Sequence, residues 1–213
     1  MAGMAVAATV LFGYLIGSVP VARLVTRRDL RTMGDGNPGY WNARQMLGTR
    51  TAFPVFVGDV VKGALAAAMG RLLAVSEWVS TGATAGAAGH YWWLGYLGGF
   101  AAMVGHAWPV FDRFRGGRSV LCFVGAACVL SPITALVAAL IAVGVWATTR
   151  SFAWGARVGV FAFPLVQLII DGPVRTAATG VLMCLVGLRF WQAARSGQHQ
   201  PPRDADERAV LGG

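Results

Sequence analysis

Residues 120–149 read "VLCFVGAACVLSPITALVAALIAVGVWATT", and how this apolar stretch divides decides the topology of the whole chain. A helix needs about 20 residues to cross the hydrocarbon core of a bilayer, so the stretch is too long for one crossing and short for two. Ser131 and Pro132, in "LSPI", interrupt it. Proline has no N–H to give a helix and disfavours helical backbone in the residue before it. A turn here predicts two short spans in place of one long one. Further apolar stretches occupy 1–25, 51–75, 90–111, 158–170 and 174–191, so the turn raises the expected total from six spans to seven.

Composition supports spans rather than a soluble core. The chain has 213 residues, 56% of them hydrophobic and 13% charged, with a mean hydropathy of +0.58; ordinary globular domains carry roughly 25% charged residues. The expected fold is an all-α integral membrane protein, a single polytopic domain over 1–195 followed by a polar, proline-bearing tail at 196–213 that reads as disordered. The net charge is +9, and of 18 basic residues only Lys62 is lysine. Basic charge beside apolar spans reflects the positive-inside rule and anionic headgroups, which makes nucleic acid a poor reading. Cys122, Cys128 and Cys184 lie in apolar runs without metal-ligand spacing and are read as packing residues.

The opening "MAGMAVAATVLFGYLIGSVP" resembles a signal peptide but has no basic residue ahead of its apolar run, which continues to Val25, so it is read as a span. Arginines then orient the chain. With the N-terminus outside and seven spans, Arg27, Arg28, Arg31, Arg44 and Arg50 lie inside, together with Arg113, Arg115, Arg118, Arg150, Arg157 and the C-terminal arginines. Six spans would put the last group outside. Segment 76–89, charged only at Glu77, and the bend at Pro132 then face out.

Four features at or near the inner face carry possible chemistry. In "GYLIGSVPVARLV" (13–25), Gly17, Ser18 and Pro20 interrupt a helix before its end, either as a packing kink or as part of a site. In "MGDGNPGYWNARQMLG" (33–48), Gly34, Gly36, Asn37, Pro38 and Gly39 suit tight turns whose N–H groups converge as an anion-binding nest; Asn42 and Arg44 could add donors, and Tyr40 and Trp41 suit an interface. In "GDVVKGA" (58–64), Asp59 and Lys62 share one face of an apolar helix, and each charge costs at least ~2.5 kcal/mol in hydrocarbon. They form either a pinning ion pair or a phosphate site. In "GHAWPVFDRFRGGRS" (105–119), Gly116 and Gly117 allow close backbone approach, Arg115 and Arg118 supply donors, and Ser119 could cap the next helix. His106 is the histidine placed to work with them; His90 lies towards the other face and His199 in the tail. Together these elements form a cationic, glycine-lined pocket suited to a phosphate-bearing, partly lipidic substrate.

The order "GYLIGSVP", "GDGNPG" followed by Asn42, "DVVKG" and "GHAWPVFDRFRGG" resembles the bacterial acyl-phosphate:glycerol-3-phosphate acyltransferase family over roughly 13–120. The resemblance implies seven membrane helices, motif loops on the cytoplasmic side of the bacterial inner membrane, and acyl transfer from acyl phosphate to glycerol 3-phosphate without metal, coenzyme A or other cofactor. It makes His106, Lys62 and Arg118 the catalytic candidates. Ser18, Gly36, Asn37, Gly39, Asn42, Arg44, Asp59, Arg115, Gly116, Gly117 and Ser119 become candidates for binding substrate. Implied partners are the acyl phosphate, glycerol 3-phosphate or a similar small phosphate, and membrane lipids; oligomeric state is left open.

The chain departs from the family pattern at several positions. Asp35 stands where the family has serine, and a carboxylate there would repel phosphate unless it pairs with an arginine such as Arg44. Tyr40 and Trp41 replace Ala-Thr, Gln45 replaces an arginine, and "GGRSVLC" replaces "GGKGVAT". A family histidine and asparagine near the end of the last span align with Phe190 and Ala193. Two readings follow: an acyltransferase with an ordinary or changed acceptor, or a relative that binds a lipid phosphate or a membrane-protein partner without catalysis.

Overall fold

The computed structural model describes residues 2–80 and 91–196. The expectations for His90, for most of the segment 76–89 and for the tail beyond Ser196 fall outside these residues. Among the described residues there are nine α-helices: α1 (Ala2–Gly17), α2 (Val21–Thr26), α3 (Tyr40–Leu47), α4 (Thr49–Ser80), α5 (Trp93–Ala107), α6 (Val120–Leu130), α7 (Pro132–Thr149), α8 (Phe152–Ile170) and α9 (Pro173–Arg195). Short 3₁₀ turns lie at Leu30–Thr32 and Val110–Asp112.

Among the described residues, five helical segments are long and apolar enough to cross a membrane: Gly3–Thr26, which joins α1 to α2, and α4, α7, α8 and α9. Two more belong to the same bundle but are short. α5 has 15 residues and α6 has 11; at ~1.5 Å per residue they measure roughly 22 and 17 Å, less than the ~30 Å hydrocarbon core.

The long apolar stretch divides where its sequence predicts. α6 ends at Leu130 and α7 begins with Pro132 in its first turn. The bend is pinned by polar side chains: Gln167 of α8 donates to Ser131 Oγ at 2.7 Å and to Tyr96 Oη at 3.2 Å, and Thr134 donates to Asp171 at 2.8 Å. The first span also breaks as expected, between Gly17 and Val21. α8 starts at Phe152, earlier than its apolar run, because Arg157 can ride inside the helix with its guanidinium 5.4 Å from the Trp154 ring.

Without a hydrophobic drive between helices in lipid, close packing holds them together, and small residues permit it. A Cβ on Gly17 would overlap Ala102 of α5, and one on Gly63 would overlap the Cys122 carbonyl of α6. Alanines dominate the buried core of α4, α5 and α6, joined by Met103, Phe123 and Leu182.

The connections gather at two ends. At one end, Arg23 reaches Asp112, Arg118 reaches Asp35, Trp41 stacks on Phe152 at 6.0 Å, and Arg189 reaches Gly117. This end therefore holds the α2–α3 and α5–α6 loops, the α7–α8 turn and the end of α9. At the other end lie the bend at Ser131 and the α8–α9 turn at Asp171. The arginine-bearing loops thus share one end of the bundle.

Candidate active site

The break in the first span shapes the site from one side. Because Pro20 cannot donate to the preceding turn, the chain leaves the helix at Ser18 and Val19, and the Val19 carbonyl accepts a hydrogen bond from Lys62 Nζ at 3.2 Å. Lys62 also lies 2.8 Å from Asp59 Oδ1, one turn back on α4, and both residues are buried. His106, in the last turn of α5, places Nδ1 3.4 Å from the same oxygen without hydrogen-bond alignment. That nitrogen is buried and has no hydrogen-bond partner. Two side chains, Lys62 from the same helix and His106 from α5, thus converge on one carboxylate.

The glycine pair covers the histidine. Gly116 and Gly117 donate to the carbonyls of Ala107 and His106, each at 3.1 Å. A Cβ on Gly117 would overlap His106 Nε2, and one on Gly116 would overlap the His106 carbonyl, so only bare backbone fits. From α9, Arg189 clamps this loop: Nε donates to Gly117 O at 3.1 Å and Nη2 to Gly116 O at 3.0 Å, while Nη1 donates to Gln192 at 2.8 Å and the guanidinium lies 5.0 Å from the Trp108 ring.

The loop 33–39 differs from an open anion nest. Its amides bond internally: Gly36 N to Met33 O, Gly39 N to Asn37 O, Asn37 N to Asp35 Oδ1 and Asp35 N to Asn42 Oδ1. Asn42 organises it, donating to the carbonyls of Leu30, Met33 and Asn37 at 3.0, 2.9 and 3.0 Å with one hydrogen shared. Asp35 Oδ2 accepts from Arg118 Nη1 at 2.9 Å. The partner of Asp35 is therefore Arg118 and not Arg44. Arg118 also lies 5.0 Å from the Phe190 ring, and its Nε is buried without a partner.

Four candidates stand apart from this cluster. Ser18 donates back along its own helix to Tyr14 O at 2.7 Å. Arg44 stacks with Trp41 and Phe152, at 5.5 and 5.3 Å from their rings. Arg115 has an exposed side chain. Ser119 does not cap α6: with φ at 62° it turns inward and donates to Met103 O at 2.8 Å.

A charge network ties the loops at the surface. Asp112, buried, lies 2.7 Å from Arg23 and 3.3 Å from Arg31, and Arg31 lies 2.7 Å from Asp29. The hydrogen-bonded Arg31 guanidinium holds the Asp29 carboxyl below its usual value.

These elements enclose two clefts that share Gly116. One has apolar walls, from Val19, Val21, Leu30, Pro38 and Pro109, with Lys62, Asp59 and His106 at its buried end and Arg23 and Arg28 at its open end. The other is polar, lined by Gly36, Asn37, Arg118, Arg189, Gln192, Ala193 and Ser196. His106 lines the first of them, packed against Gly117.

The family model for glycerol-3-phosphate acyltransferase matches residues 7–197. This chain belongs to the glycerol-3-phosphate acyltransferase family. A glycerol-3-phosphate acyltransferase of Thermus thermophilus is 36% identical over 188 residues, 86% of this chain and 85% of that one. Glycerol-3-phosphate acyltransferase 1 of Dehalococcoides mccartyi is 31% identical over 205 residues, 91% of each chain. The crystal structure of PlsY (YgiH), an integral membrane glycerol 3-phosphate acyltransferase in its glycerol 3-phosphate form, superposes with a TM-score of 0.73 at 25% identity, covering 98% of this chain and 99% of that one. The lysophosphatidic acid form of PlsY shows the same fold, with a TM-score of 0.68 at 24% identity.

Within this acyltransferase fold, Phe190 and Ala193 face the motif loops: Phe190 underlies Arg118 and Ala193 lines the polar cleft. Arg189, beside them, lines the same cleft and is passed over by the motif reading. Its signal was an ionisable residue inside an apolar span. Asp112 was equally legible as an acid between two apolar runs, but its partners are 81 and 89 residues away in sequence.

Proposed function

We propose that this chain transfers a fatty acyl group from an acyl phosphate to the hydroxyl of glycerol 3-phosphate, producing lysophosphatidic acid and phosphate in phospholipid synthesis. The observation that carries the reading is the pair of unlike clefts meeting at Gly116, with His106 lining the first beside the glycine pair. The apolar-walled cleft suits an amphiphilic donor, and the polar cleft, with an unpartnered Nε on Arg118, suits a small phosphate-bearing acceptor.

The acceptor oxygen attacks the acyl carbonyl carbon, the carbon–oxygen bond to phosphate breaks, and the bonding pair leaves with phosphate, which also receives the hydroxyl proton. Holding two anionic reactants together supplies much of the acceleration, through proximity and fixed positive charge. Lys62 offsets charge on the donor, Arg118 and Arg189 hold the acceptor phosphate, and Asp59 positions Lys62. His106 relays the proton. No acyl-enzyme intermediate is required.

In this reading α5 and α6 count as short spans, which makes seven, with the N-terminus outside and the arginine-bearing end in the cytoplasm of the bacterial inner membrane. Residues 1–195 form one membrane domain and the remainder a tail.

The test is acyl transfer by the purified full chain in detergent. One lysophosphatidic acid and one phosphate should appear per acyl phosphate consumed, dependent on glycerol 3-phosphate. Absence of turnover with any polyol phosphate overturns the enzymatic reading. The Asp35–Arg118 contact and the Phe190 side chain then favour a protein that binds a lipid phosphate without catalysis, which retained micromolar affinity for lysophosphatidic acid, about −8 kcal/mol, would support.

A further inference from the structure

The charged side chains around the apolar-walled cleft come in opposed pairs, with one exception. Lys62 faces Asp59 at 2.8 Å, Arg23 faces Asp112 at 2.7 Å, and Asp29 faces Arg31 at 2.7 Å. These charges cancel. Arg28 is the remaining cation lining the cleft, and among the described residues its guanidinium has no hydrogen-bond, ion-pair or ring partner. Its backbone is held, however. Arg28 N donates to Thr26 Oγ1 at 3.2 Å, following Arg27 in the left-handed region at φ 54°. A fixed backbone thus presents an uncommitted charge at the open end. At the buried end, His106 Nδ1 has no hydrogen-bond partner either.

We propose that Arg28 binds the phosphate of the acyl donor and so controls its capture, a proposal that rests on the acyl-transfer reading above. Lys62 cannot supply this attraction by itself, because Asp59 offsets its charge. With Arg31 counted, which lies behind the lining against Asp29 and Asp112, the charges other than Arg28 balance, and without Arg28 an anion gains little by entering. With it, a phosphate meets a planar fork of donors that can engage two of its oxygens. The released phosphate presents the same chemistry to Arg28, so product and donor compete there.

The experiment measures both substrate dependences for the full chain and for the Arg28→Gln and Arg28→Lys variants in one detergent. Arg28→Gln should raise KM for acyl phosphate about tenfold, leave KM for glycerol 3-phosphate within about twofold, and weaken inhibition by inorganic phosphate in parallel. Arg28→Lys should recover only part of the donor affinity, since it keeps the charge but not the fork. An unchanged donor KM in Arg28→Gln overturns the proposal, as does an equal rise in both KM values. Weakened phosphate inhibition with an unchanged donor KM assigns Arg28 to product phosphate alone and overturns the capture role. Should the wild type transfer no acyl group, the acyl-transfer reading fails by itself, and binding of a non-hydrolysable acyl phosphonate decides Arg28 separately. An affinity about tenfold lower in Arg28→Gln upholds the residue's role, and equal affinities overturn it.

Discussion

Asp35 shows how one substitution changes the role of another residue. Its carboxylate accepts Arg118 at 2.9 Å and the Asn37 amide at 3.0 Å, so an internal anion sits where a cation faces the polar cleft. A substrate phosphate must share Arg118 with it. Replacing Asp35 by Ser removes the competing charge and keeps a small polar side chain, so kcat/KM for glycerol 3-phosphate should rise about tenfold; an unchanged value would mean that Arg118 is not a substrate ligand. Lys62 poses the opposite case, since its pairing with Asp59 is buried. Removing one partner of a buried pair leaves an uncompensated charge and costs on the order of 3 kcal/mol. Lys62→Met should therefore lose both stability and activity. The Asp59→Asn, Lys62→Met double variant should regain thermal stability in detergent but not turnover. Recovered turnover would reduce the pair to a structural pin.

At the scale of elements, the decisive contacts run between helix ends and loops. α9 hydrogen-bonds the glycine loop through Arg189, whose fork engages two successive carbonyls at 3.0 and 3.1 Å. A lysine carries the same charge but no fixed fork. Steady-state kinetics should show kcat/KM falling on the order of 100-fold in Arg189→Ala, with Arg189→Lys restoring little of it. Full rescue by lysine would show that charge, and not the clamp, is what α9 contributes. The break of the first span works similarly, since the carbonyl it exposes at Val19 is the one Lys62 uses.

Across the whole molecule, topology follows from which connections share an end. The start of α4 at Arg50 and the loops containing Arg115 and Arg150 lie together through the Arg23–Asp112, Arg118–Asp35 and Trp41–Phe152 contacts, whereas Gly172 belongs to the other end. Single cysteines at 50, 115 and 150, in a variant with its native cysteines replaced, should all be protected from an impermeant reagent added outside intact cells. A cysteine at 172 should react. External labelling at 150 with protection at 115 would contradict both the bundle and the arginine orientation.

The sequence alone carried the membrane class, the division at Pro132, the break before Pro20 and the four motifs. Each of these depends on local chemistry: apolar length, the missing N–H of proline, or charge set in an apolar run. It also placed Lys62, Asp59, His106 and the glycine pair in one site, because short motifs kept them near helix ends that had to converge. The tertiary structure decided which donors remain available. Asn42 and the loop amides bond to their own loop, Ser119 turns inward to Met103 O, Arg44 stacks on aromatics, and Arg118 is engaged by Asp35. It also brought in Arg189 and, among the described residues lining the apolar-walled cleft, left Arg28 as the uncommitted cation. The physical reason is that a residue type states what a side chain can bond to. Which partner it takes depends on groups brought within about 3 Å by parts of the chain far apart in sequence.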